Sequence, residues 1–141
     1  MKQKYNKDVH YICKLSGIRR IEKEYGKLKN YDVILTDERK KHILIRRGND
    51  GDNVLSNLVK TIKGYDLILD AGSGCVRFIK MNEDNYSYVI KLSLNNSKEG
   101  NSIITGIRIK TRKVNKYILR NKIIDSRLWY YVYELWGRNN V

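Results

Sequence analysis

Apolar positions along this chain begin at helical spacing and later fall at every second residue. Over residues 3–15 (QKYNKDVHYICKL), Tyr5, Val9, Ile12 and Cys13 recur roughly every 3.6 residues, which predicts a short helix stopped at Ser16-Gly17. Ile18, Ile21 and Tyr25 form one stripe of a second helix, with Gly26 where it would end. Residues 31–36 (YDVILT) are β-branched and aromatic and predict a strand, after which Thr36-Asp37 can cap a basic helix, ERKKHILIRR. Beyond a loop at residues 48–51, Asp52 can cap the most regular helix of the chain, whose apolar face is Val54, Leu55, Leu58, Val59 and Ile62.

From Tyr65 the period shortens. The runs DLILDA, CVRFIKM, YSYVIKLSL and SIITGIRIKT are separated by AGSG, NEDN and NNSKEGN, which are turn compositions. Strands joined by such short links must be antiparallel neighbours, because a parallel pair needs a crossover of about a dozen residues. RKVNKYILRNK returns to helical spacing, and RLWYYVYELWG fits helix or strand. The fold class is therefore α+β, with N-terminal helices on a four-stranded antiparallel sheet, a C-terminal helix and an aromatic tail. Within one domain over 1–141, residues 1–29 form a helical part, 30–125 the core and 126–141 the tail.

Alternation also assigns faces. In YSYVIKLSL it puts Val89, Lys91 and Ser93 opposite Tyr88, Ile90, Leu92 and Leu94. In SIITGIRIKT it puts Ser102, Ile104, Arg108 and Lys110 opposite Ile103, Thr105, Ile107 and Ile109. A face carrying Lys, Arg and hydroxyls offers donors to phosphate oxygens and ribose.

Charge sharpens this picture. The 141 residues hold 29 Lys and Arg against 15 Asp and Glu, a formal charge of +14, and a polyanion is the partner that relieves such self-repulsion. The basic residues are dispersed rather than gathered beside a lipidation site, which argues against a membrane surface. No apolar run approaches the ~20 residues of a membrane span, and MKQKYNKDVH lacks a signal-peptide core, so a cytoplasmic protein is expected. Cys13 and Cys75 lack the companions of a zinc site and read as thiols in a reducing compartment.

Of the two histidines, His10 reads as structural. His42 lies on the basic helix beside Lys40, Lys41, Arg46 and Arg47. Cations around an imidazole disfavour its charged form, as a general base requires, and Arg46 one turn away can hold a phosphate oxygen. A solvated surface histidine is the plainer alternative. Trp129, Tyr130, Tyr131, Tyr133 and Trp136 could stack bases, but fit core or an oligomer contact better. No phosphate-binding loop, HExxH helix or acidic metal cluster is present, so no metal or cofactor is expected.

Taken in order, DVILTDERKKHILIRR, YDLILDA, YVIKLSL and NSIITGIRIKTRKVNKYILRNKII resemble the phage and mobile-element nuclease domains of the barnase-EndoU-colicin-RelE group, over roughly residues 30–125. The group's histidine-isoleucine pair matches His42-Ile43, its arginine matches Arg46, and Arg47 replaces its second histidine. Its central-strand lysine matches Lys91, and its closing motif matches Asn101, Ser102, Ile103, Ile104 and Thr105. The resemblance implies metal-independent endoribonuclease action, in which the ribose 2′-hydroxyl attacks the neighbouring phosphate and leaves a cyclic phosphate. In that scheme His42 is the base and Arg46 and Lys91 neutralise the phosphate. Ser102 or Thr105 positions phosphate or sugar, and Lys41, Arg47, Arg108 and Lys110 hold the nucleic acid.

Three readings follow. The leading one is an RNA-cleaving, toxin-like effector of a mobile element, whose partners would be RNA and an acidic inhibitor. The second is a nucleic-acid-binding module on a degenerate nuclease scaffold. The third is an interaction protein using its aromatic tail, which could also join copies of the chain.

Overall fold

The computed structural model describes residues 7–47, 49–82, 84–94 and 100–139, without the side chains of Arg47, Asn49 and Asn139. The chain runs through β1 (Val9–Lys14), α1 (Ile18–Tyr25) and β2 (Asp32–Thr36) into three successive helices, α2 (Asp37–Arg47), α3 (Asn49–Ser56) and α4 (Leu58–Lys63). A meander follows, of β3 (Leu67–Gly72), β4 (Cys75–Met81), β5 (Tyr86–Ser93) and β6 (Asn101–Lys110). After it come α5 (Thr111–Arg120), β7 (Ile123–Ser126) and α6 (Trp129–Asn139).

The protein is α+β, but its sheet is wider than the four expected strands. Seven strands pair in the order β1-β2-β6-β5-β4-β3-β7. The meander β3 to β6 is antiparallel throughout, as short turns require. β2 joins β6 in parallel, made feasible by the long excursion through α2–α4, so the sheet is mixed. The expected helix over 3–15 is corrected: residues 1–6 lie outside the description, and Val9–Lys14 is a strand paired antiparallel with β2. VHYICK is β-branched and aromatic, and sheet pairing with β2 overrides a spacing that also suits a helix. The expected Val54–Ile62 helix is divided at Asn57, whose side chain donates to the Asn53 carbonyl (2.7 Å), while its own carbonyl accepts from the Thr61 hydroxyl. Val54, Leu58 and Ile62 are nevertheless buried as their stripe predicts.

Each sheet face carries its own core. One packs Ile68, Val76, Phe78, Tyr88, Ile90 and Leu92 against Ile21, Ile43, Val54, Leu58 and Ile62 of α1–α4. The other buries Leu67, Leu69, Ile79 and Val89 under Val114 and Ile118 of α5 and Val132 and Leu135 of α6. The aromatic tail is thus mostly core: Trp129, Tyr131 and Trp136 pack on this second cluster, while Tyr130 and Tyr133 stand exposed. No described helix is long and apolar enough to cross a membrane.

Polar side chains weld the layers. Asn101, buried at the start of β6, donates to the carbonyls of Asn30 (2.8 Å) and Asp32 (3.1 Å), locking the parallel seam. The Tyr25 phenol of α1 donates to Asp70 (2.5 Å), and Tyr65 donates to Asp125 of β7. Burial, then the Asp125 carboxylate, pushes the Tyr65 phenol up to about 12; burial and Asp70 likewise hold Tyr25 above its ordinary range. A phenol whose folded pKa is raised contributes stability that is complete below about pH 10 and is lost as pH rises through the folded value. Denaturation midpoints are therefore expected to fall between about pH 10 and 12, and to fall less for Tyr25→Phe/Tyr65→Phe. An equal fall in both proteins would show that these phenols carry none of the alkaline sensitivity.

Candidate nucleic-acid interface

Strand alternation decides what the second face presents. Because Ile90 and Leu92 pack toward α1–α4, Lys91 between them points to the opposite face, with Val89 and Ser93. α5 and α6 cover the end of that face carrying Ile79, Val89 and Ile107. At its other end Lys91 pairs across the strands with Arg77 on one side and Thr105 on the other. The adjoining row is Cys75, Ser93 and Ser102. All six side chains are partly accessible.

A β-bulge makes these rows. Lys91 pairs with Thr105, but the next residue, Leu92, pairs with Ile103, so Ile104 is the extra residue of β6. Ser102 and Thr105, three apart in sequence, therefore share the Lys91 face. Uninterrupted alternation would have separated them, and that assignment is corrected here. The same shift sends Arg108 and Lys110 to the other face, paired with Tyr88 and Tyr86. There Arg108 lies over the Tyr86 ring (3.7 Å) and bridges Asp84 (3.3 Å) and Asp50 (3.8 Å), commitments that remove it from the Lys91 surface.

The histidine does not join the lysine. α2 buries Ile43 in the core beneath Ile90 and Leu92, so the helix occupies the layer opposite Lys91. His42 is half-buried there, its Nε2 3.5 Å from Arg46 Nη1, beside a cavity of about 210 Å³ bordered by Glu38, Arg39, Lys41 and Ile45. Of the five residues expected to act together, Lys91, Ser102 and Thr105 are assembled; His42 and Arg46 lie across the sheet. Lys41 is exposed on α2, and the Arg47 side chain lies outside the described residues.

Residues not anticipated complete the surface. Between α5 and the sheet runs a groove of about 480 Å³, lined by Arg77, Lys113, Lys116, Tyr117 and Arg120, with Ile109 and Asn121. The Arg77 guanidinium stacks 5.1 Å from the Tyr117 ring centre and joins the groove to the Lys91 row. No carboxylate lines the groove among its described residues. Arg77 was findable: the short β4–β5 turn pairs Met81 with Ser87, and counting back from it sets residue 77 opposite 91. Lys113, Lys116, Tyr117 and Arg120 stand at i, i+3, i+4 and i+7, one face of α5. Among the described residues no three His, Cys, Asp or Glu side chains gather as a metal ion would need.

Comparison with protein-family models, with curated proteins and with solved structures returned no match to this chain.

Proposed function

We propose that this protein is an RNA-binding module of nuclease-like architecture that grips the phosphodiester backbone on the open sheet face. One observation carries the reading: Arg77, Lys91, Lys113, Lys116 and Arg120 converge there and make no ion pair among the described residues. No carboxylate stands among the groove's described lining residues, so it is the gathering of these cations, rather than their being unpaired, that sets this face apart. Phosphate oxygens supply the missing counter-charge, and the Ser93, Ser102 and Thr105 hydroxyls offer bonds to phosphate or sugar. If about five phosphates are neutralised, the affinity for single-stranded RNA falls roughly 100-fold between about 50 and 200 mM salt. A flat response in a fluorescence-anisotropy titration overturns the proposal.

Cleavage at the same face is a second reading, favoured by the cross-strand adjacency of Arg77, Lys91 and Thr105. In this scheme the ribose 2′-hydroxyl gives its proton to water as its oxygen attacks phosphorus, the bond to the 5′-oxygen breaks and that oxygen takes a proton from water, while Arg77 and Lys91 stabilise the added negative charge. Cyclic-phosphate ends formed in excess EDTA, and lost in Lys91→Ala, would support it. On either reading His42→Ala leaves RNA affinity and any turnover within about twofold, because His42 lies on the layer opposite Lys91 and its loss removes none of the contacts at the open face. A tenfold loss in that variant would return the imidazole to the site.

A further inference from the structure

We infer that the ligand is a single strand, laid along α5 with one unstacked base against the Arg77–Tyr117 pair; this rests on the RNA-binding reading above. The groove is bounded by a helix standing on a sheet, so its wall and floor present different groups. From the wall, Lys113, Lys116 and Arg120 project at successive turns. Lys113 and Arg120 are seven positions apart, about 10 Å along a helix, so the three cations can meet successive phosphates of one strand. Beside the floor, the half-buried Tyr117 ring and the Arg77 guanidinium 5.1 Å from its centre stand together among those cations. Such a pair takes the face of any base and has little use for a duplex, whose bases are stacked on one another and turned away from the phosphates. Ile109 adds an apolar patch under the same position.

The test compares one labelled eight-nucleotide RNA, the same RNA annealed to its complement, and inorganic polyphosphate, by anisotropy at fixed salt. The single strand is expected to bind at least about tenfold tighter than the duplex, by the stacking contribution. Tyr117→Leu, which keeps an apolar side chain packed under α5, is expected to erase most of that preference while leaving polyphosphate affinity within about twofold. Lys116→Ala/Arg120→Ala changes only the exposed rim; it should weaken all three ligands and lower the salt slope by about 1 to 2. Equal affinity for strand and duplex, or a preference untouched by Tyr117→Leu, overturns the inference and leaves RNA binding standing. Should neither RNA bind, the RNA-binding reading falls and this inference falls with it.

Discussion

Reversing charge at Arg77 and Lys91 together (Arg77→Glu with Lys91→Glu) is expected to weaken RNA binding by more than about 100-fold, the largest effect of any surface change in this protein. The two residues are cross-strand neighbours on β4 and β5, and Arg77 also reaches the groove beside α5, so both halves of the surface lose their shared cation. A hydrogen bond to a charged group contributes about 1.5 to 3 kcal/mol, and two introduced carboxylates add repulsion of the phosphates to the loss of both contacts. The salt slope should become shallower in the same variant, since fewer counterions are released. Stability should fall by no more than about 1 kcal/mol, the value of the Arg77–Tyr117 cation–π contact, because neither residue has a carboxylate partner among the described residues. The informative control is Lys14→Glu/Lys80→Glu, the same charge change at cations already neutralised by Asp32 and Asp66. Equal losses in the two double variants would mean that net charge alone governs binding and that the open face has no special part.

The second large effect concerns the scaffold. Gly106 lies at the centre of β6 where α3 comes closest to the sheet. A Cβ there would meet Val54 Cγ1 at 2.6 Å and Ile90 Cδ1 at 2.7 Å, both on fully buried residues. Gly106→Val must push α3 off the strand or force both neighbours from their rotamers. Overpacking of this kind costs about 1 to 3 kcal/mol, lowering the thermal midpoint by roughly 3 to 12 °C. Gly106→Ala should fall between the variant and the unchanged protein. A midpoint shifted by less than about 1 °C in Gly106→Val would contradict the close seating of α3.

These two sites also mark where sequence reading succeeds and where it stops. The meander strands were legible because each is a short run rich in β-branched and aromatic residues and each link is too short for anything but a hairpin. The stripes of α1 and α5 were legible because their apolar positions recur at helical period. The sheet's full width was not: β7 has only four residues, β1 has a spacing that also suits a helix, and their pairing with β3 and β2 is a long-range choice that no local pattern records. Nor did the order of motifs reveal on which side of the sheet each would stand. His42 and Lys91 follow one another in a familiar succession, yet burying Ile43 with Ile90 and Leu92 commits α2 to one layer and Lys91 to the other. The displaced register of β6 left no trace either, since Ile104 is an isoleucine beside another isoleucine.

That extra isoleucine gives β6 a reading frame. Removing Ile104 would straighten the strand and leave the faces as they are, because Ser102, Ile103 and Thr105 would then alternate as Ser93, Leu92 and Lys91 opposite them do: the two hydroxyls outward, Ile103 inward. The two hydroxyls stand beside Lys91 because the pairing skips residue 104, whatever side chain it carries. A chain could exchange Ile104 for many residues, or lose it, and retain the surface, whereas a one-codon insertion taken up without a second bulge would turn Ser102 inward and dismantle it.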